Sequence, residues 1–126
     1  GICLGEQILM DRSEEGRLTD GLGLVQGNVL RFPHSELKVP HMGWNSIQIT
    51  QDHPLFEGIP DGSYVYFVHS YYVDTTQKNT LAACGYGRTF AAAVVNDAGN
   101  VMGTQFHPEK SGDIGLKMLR NFVRMC

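Results

Sequence analysis

The sequence has no long apolar run. Its longest uninterrupted stretches, such as Phe90 to Val95 and Tyr64 to Val68, fall far short of the about 20 residues a membrane-spanning helix needs. It has no basic excess: ten Lys and Arg against thirteen Asp and Glu give a formal net charge of −3. That offers no electrostatic footprint for nucleic acid. It is poor in cysteine, with Cys3, Cys84 and Cys126 odd in number and widely separated. That pattern gives no zinc-type spacing and no disulfide framework, and fits a reducing, cytoplasmic setting. No histidine pair has the helical spacing of a metal site, so no metal is expected. No linker, repeat or low-complexity stretch divides the chain. At 126 residues, with 42% hydrophobic and 18% charged side chains, it reads as one globular unit. Residue 1 is glycine, and the opening Gly1-Ile2-Cys3-Leu4-Gly5 reads as the end of a buried strand entering a turn. The expectation is therefore of a fragment, with a segment upstream of it.

The hydrophobic pattern predicts a helix over Glu6 to Arg12, with its exit at Ser13 to Gly16. Two short strands are expected in Leu22 to Phe32, and a loop over Pro33 to Pro40. Further strands are expected at Trp44 to Thr50, Tyr64 to His69, Leu81 to Tyr86, Thr89 to Val95 and Val101 to Phe106. Asp97 to Asn100 fits the hairpin turn before the last of these. The final helix places Gly115, Leu116, Leu119, Phe122, Val123 and Cys126 on one face. A helix at each end with strands between predicts an α/β layer fold, rich in strand.

Gly1-x-Cys3-x-Gly5 has the form of a nucleophile elbow with cysteine in the serine position. A strand turning sharply into a helix strains the backbone, and flanking glycines avoid the clash. The thiol would project at a helix N-terminus, which favours thiolate, and the Leu4 amide would face a forming oxyanion. A small buried cysteine in a tight turn is the plain alternative. His107 and Glu109 stand two apart, on one side of an extended segment stiffened by Pro108. A carboxylate there would set the imidazole tautomer, completing a Cys-His-Glu triad. A solvated strand end is the alternative for this pair. His34 and His53, in loops beside prolines, read as surface residues. Cys84 and Cys126 read as buried thiols, and the Tyr64 to Tyr72 cluster as core and strand face.

These stretches, with Gln7, Arg12 to Gly16, Pro40-His41-Met42-Gly43-Trp44-Asn45, Tyr66 to Tyr71 and Gln105 to Gly112, resemble triad-type (class I) glutamine amidotransferases. Within that family the two middle stretches resemble the glutaminase subunits of imidazole glycerol phosphate synthases, from histidine biosynthesis. The resemblance implies a doubly wound, flavodoxin-like α/β sheet around mainly parallel strands. Residues 1–126 would be the C-terminal portion of a single amidotransferase domain lacking its N-terminal strands. It implies that Cys3 attacks the side-chain amide of L-glutamine through a thioester, with His107 as proton shuttle and Glu109 as its orienter. Leu4 would be an oxyanion donor, and Gln7, Ser70 and Tyr71 would hold substrate. Ammonia would pass to a (β/α)8-barrel cyclase subunit in a heterodimer, with Trp44, Asn45 and Lys110 near the interface. No cofactor is implied. Other class I amidotransferases, serving pyridoxal phosphate, anthranilate or guanylate synthesis, remain an alternative, as does a non-catalytic binding module.

Two departures from the family pattern carry expectations of their own. The Pro-Gly-x-Gly loop that supplies a second oxyanion donor does not occur in this sequence. One such donor is worth about 2.7–4 kcal/mol of transition-state stabilisation, so the chain alone is expected to be inactive or nearly so. Glu6 stands where the family commonly has methionine. Aimed at the thiol it would raise the cysteine pKa, and aimed away it would complement the helix N-terminus. The second placement is the expected one.

Overall fold

The computed structural model describes residues 1–33 and 37–126. His34 and part of the expected 33–40 loop lie outside the described residues. In chain order the elements are α1 (Leu4–Gln7), β1 (Met10–Ser13), β2 (Thr19–Asp20), β3 (Val25–Arg31), β4 (His41–Ser46) and β5 (Gln48–Ile49). They continue with β6 (Tyr64–His69), β7 (Tyr71–Thr75), β8 (Thr80–Gly85), β9 (Thr89–Val95), β10 (Met102–Thr104) and α2 (Gly112–Met125). Short 3₁₀ turns stand at Pro54–Phe56, Gln77–Asn79 and Pro108–Lys110.

The described strands form three sheets, in the orders β2-β1-β3-β7, β10-β9-β8-β5 and β4-β6. Pairing is antiparallel except between β1 and β3, and where Ile2 bridges Thr104 beside β10. Parallel pairing, which the resemblance leads one to expect, is carried in these residues by those two places. β9 is the spine: every residue from Phe90 to Val95 is buried, and its small alanines let packing close on both sides. One core cluster gathers Phe32, Ile47, Phe67, Leu81, Phe90, Phe106 and Met118. A second gathers Leu9, Met10, Val25, Val29, Val73 and Val94.

Several expected elements take a different form. The helix over Glu6 to Arg12 is instead the single turn α1 followed by strand β1. Met10 is fully buried against β3, so the chain must extend there rather than continue to coil. Leu22 to Phe32 holds one strand, β3, not two. The expected strand Trp44 to Thr50 is two: β4 pairs with β6, and β5 pairs with β8. Ile47, fully buried, marks the switch between sheets. β7 and β2 were not foreseen as strands.

α2 falls where expected but turns a different face inward. Gly115, Met118 and Asn121 are buried, while Leu116, Phe122, Val123 and Cys126 are exposed. Two contacts set this rotation. A Cβ at Gly115 would lie 1.9 Å from the Pro108 carbonyl oxygen, so only glycine permits the approach. The Asn121 amide donates to the Leu55 and Glu57 carbonyls, each at 2.9 Å. Leu119 and Phe122 line an apolar cavity of about 170 Å³ with Ile2, Met102 and Met118.

Candidate active site

The elbow is built on β10. The Gly1 nitrogen donates to the Met102 carbonyl at 2.9 Å, the Thr104 amide to Gly1 O at 2.8 Å, and the Cys3 amide to Thr104 O at 2.7 Å. The segment entering the turn is thus extended, although Ile2 is 41% exposed rather than buried as expected. α1 begins at the next residue after Cys3. Cys3 has φ 57° and ψ −109°, and among the described residues it alone has a positive φ without being glycine. Such a conformation persists only where surrounding contacts over-determine it. A Cβ at Gly1 would stand 2.3 Å from the Gly5 carbonyl oxygen, so the first glycine is sterically required. At Gly5 a Cβ would meet nothing within 4 Å, so that glycine is not required by packing.

The half-buried Cys3 thiol donates to the Val68 carbonyl at 3.8 Å and accepts from the Gln105 amide, also at 3.8 Å. Burial pushes its pKa up. The Leu4 amide pulls it down, Glu6 and Glu109 push it up, and the Gln105 amide pulls it down. The balance lies above the ordinary thiol value. The expected thiolate preference is therefore absent at rest, because burial disfavours the charged sulfur, the Glu109 charge opposes it and a four-residue helix supplies little dipole. A resting thiol requires a base to accept its proton.

His107 follows β10 and opens the Pro108–Lys110 turn. Its Nδ1 lies 2.8 Å from Glu109 Oε2. The pair meets because the 3₁₀ turn folds the carboxylate back, not through an extended run as the sequence suggests. Its amide donates to the Tyr66 carbonyl at 3.0 Å, and Ser111 Oγ donates to its carbonyl at 2.6 Å, fixing the segment on β6. Burial raises the Glu109 pKa. The hydrogen bonds from His107 and its own amide, with the charges of His107 and Lys110, bring it below the ordinary carboxylate value. Nδ1 is committed to the carboxylate, which leaves Nε2 as the nitrogen for proton exchange. Gln105, two residues before His107, touches the sulfur, and the Glu109 charge is felt at Cys3. The three triad candidates thus share one neighbourhood.

The substrate-binding candidates sit beside them. Gln7 is buried, and its amide nitrogen donates to the Tyr71 carbonyl at 3.2 Å and to Gln105 Oε1 at 2.9 Å. Its nitrogen is therefore engaged within the protein. The Ser70 carbonyl accepts from the Phe32 amide at 3.2 Å. Tyr71 opens β7 with the Arg31 guanidinium 5.6 Å from its ring centroid.

Glu6 does not point outward as expected. It is 0% exposed, and neither carboxylate oxygen has a hydrogen-bond partner. Burial holds its pKa well above the ordinary carboxylate range.

The face of β4 and β6 away from the core carries Trp44, 56% exposed, edge-on to Tyr66 at 6.1 Å. Lys110 Nζ stands 6.0 Å from the Tyr66 ring centroid. Met42 and Tyr64 are also exposed. Asn45 lies behind this face. Its amide nitrogen contacts His41 Nε2 and the Gly85 carbonyl, both at 3.1 Å.

Sequence reading missed three residues. Gln105 has no periodic signature, being a fully buried polar side chain. His41 and His69 face each other across β4 and β6, are buried, and are bonded at 2.9 Å. Burial lowers both to about 4. His53, half-buried in its loop, caps the Pro54 turn by accepting from the Leu55 amide at Nδ1. Cys84 is buried, with burial pushing its thiol up to about 12, whereas Cys126 is exposed. Among the described residues no group of three or more His, Cys, Asp or Glu side chains is placed to hold a metal ion. No helix there is long and apolar enough to cross a membrane.

An elbow cysteine with a His–carboxylate pair returning from a later strand defines a class, and residues 1–126 match the family model for glutamine amidotransferase class-I. The chain belongs to that family. It is 76% identical over 126 residues to imidazole glycerol phosphate synthase subunit HisH of Methanosarcina mazei, covering 100% of this chain and 62% of that protein. It is 54% identical over 125 residues to the protein of the same name in Methanocaldococcus jannaschii, covering 99% of this chain and 62% of that protein. The chain thus spans 62% of the length of these relatives. In fold it is similar to a putative GMP synthase protein of Thermoplasma acidophilum, with TM-score 0.63, 20% identity, and coverage of 79% of this chain and 48% of that one. It is also similar to PurLQS from Thermotoga maritima, with TM-score 0.65, 18% identity, and coverage of 82% and 55%.

Proposed function

We propose that this chain carries the thiol and proton shuttle of a glutaminase, the amidotransferase subunit of an imidazole glycerol phosphate synthase. The observation that supports it most is the 2.8 Å His107–Glu109 pair, on the same segment whose Gln105 amide contacts the strained Cys3. In this reading His107 Nε2 takes the Cys3 proton, and the thiolate attacks the side-chain amide carbon of L-glutamine. The Leu4 amide donates to the resulting oxyanion. His107 then returns the proton to the leaving nitrogen, releasing ammonia and forming a Cys3 thioester. Water, deprotonated by His107, hydrolyses the thioester to glutamate and restores the thiol. Glu109 keeps the imidazole in the required tautomer and stabilises its charged form.

The ammonia would pass to a (β/α)8-barrel cyclase subunit in histidine biosynthesis. The exposed aromatic face with Trp44 and Lys110, backed by Asn45, is its proposed seat, having the exposed Trp and Tyr character of an interface centre. Three free cysteines fit a cytoplasmic setting. With Leu4 as the sole oxyanion donor in the proposal, the chain by itself is expected to hydrolyse glutamine negligibly. The test is ammonia release by the full-length subunit with its cyclase. Cys3→Ala should abolish it. Steady release from that variant would remove the nucleophile role, and activation by a different synthase instead of the cyclase would overturn the assignment.

A further inference from the structure

A continuous line of hydrogen bonds runs from the β4 face to the thiol, and its polarity can be assigned throughout. The Tyr71 carbonyl can only accept, so His69 Nδ1, at 2.7 Å, carries the proton. In a neutral ring His69 Nε2 is then the acceptor, and His41 Nδ1 donates to it at 2.9 Å. His41 Nε2 accepts in turn from the Asn45 amide at 3.1 Å. On the other side of the Tyr71 carbonyl, the Gln7 amide donates one proton to it and the other to Gln105 Oε1. That fixes the flip of Gln105, so its nitrogen faces Cys3 Sγ at 3.8 Å. Each member of this line except Asn45, Tyr71 and Cys3 is buried. Stacking of His41 against Phe67 at 4.7 Å and Tyr86 at 4.0 Å leaves its ring little freedom. Buried polar side chains with every bond placed have few alternative arrangements.

We propose that Gln105 is a further catalytic residue, donating to the Cys3 sulfur as it becomes anionic, and that Gln7, His69 and His41 are positioning residues holding it there. The line ends on Asn45, directly behind the exposed Trp44 face, so a partner that moves Asn45 alters the donor at the thiol. This inference rests on the glutaminase reading of Cys3 and adds to it a donor and a route from the partner face.

The test uses the full-length subunit in complex with its cyclase. Alkylation of Cys3 by iodoacetamide is followed against pH by mass spectrometry of the Cys3 peptide, beside kcat and KM for glutamine. Gln105→Leu should move the alkylation profile to higher pH and lower kcat about tenfold, with KM changed less than about twofold, as expected for one lost bond to a charged group. Gln105→Glu, which keeps the side-chain volume, should move the profile further in the same direction. His69→Leu should give part of the kcat loss, and His69→Asn, which can still donate to Tyr71, should recover most of it. The His69→Leu/Gln105→Leu double variant should be no worse than Gln105→Leu alone, and Asn45→Ala should lower kcat only when His69 is present. Folded Gln105 variants with an unmoved profile, or additive losses in the double variant, would overturn the inference. Absence of glutamine hydrolysis by the wild-type complex would instead remove the glutaminase reading itself.

Discussion

Replacing Glu6 tests how this chain accommodates a carboxyl in its core. Both oxygens are buried and unpartnered, and burial holds the group protonated well above the ordinary pH range of a glutamate. The unfolded chain releases this proton near 4.5, while the folded chain keeps it. Above 4.5 the unfolded state therefore binds fewer protons, and stability falls as pH rises until the raised folded value is passed. The slope in that window is about 1.4 kcal/mol per pH unit. Glu6→Gln keeps the shape but cannot ionise, so the difference in unfolding free energy between wild type and Glu6→Gln should carry that slope. Glu6→Met also removes the unsatisfied polar atoms, and should stabilise the chain at pH 7 by about 1–3 kcal/mol beyond the ionisation effect. The assay is urea unfolding at half-unit steps from pH 5 to 8. A wild-type minus Glu6→Gln difference that is flat across this range would refute the reasoning, as would a Glu6→Met chain less stable than wild type.

The buried His41–His69 pair acts in the opposite sense. Both folded values are depressed from 6.5 to about 4, so stability should be lost as pH falls from 6.5 towards 4, and His69→Asn should flatten that loss in acid unfolding curves. Gly115→Ala should lower the thermal midpoint by several degrees or prevent folding, since the added methyl meets the Pro108 backbone at 1.9 Å. Asn121→Ala should cost about 1–3 kcal/mol in urea unfolding by leaving the Leu55 and Glu57 carbonyls unpaired.

The elements legible in the sequence are those whose buried side chains are apolar and regularly spaced. β6 and β9 fall on their expected bounds because Tyr64 to His69 alternates and Thr89 to Val95 is nearly all apolar. β4 was hidden at its start because its inward positions, His41, Gly43 and Asn45, are polar or lack a side chain. The spacing of Leu4, Ile8 and Leu9 imitates a longer helix than α1, but Leu4 and Ile8 are exposed and Met10 belongs to the core of β1. α2 was legible in extent and not in rotation, because Asn121, not an apolar residue, faces the Pro54 turn. At the site, Cys3 and the His107–Glu109 spacing could be read because tight turns and short motifs are local. The link through Gln105, Gln7 and the histidines joins residues as far apart as 98 positions, and no local pattern encodes it.

The central claim is that the strained thiol of Cys3 is a nucleophile served by His107. The most direct measurement is covalent labelling by a glutamine-analogue electrophile of the full-length subunit bound to its cyclase, with the modified cysteine located by mass spectrometry. The account predicts a label on Cys3 that is lost in Cys3→Ala and strongly slowed in His107→Asn. Labelling confined to Cys84 or Cys126, or Cys3 labelling indifferent to His107, would contradict it.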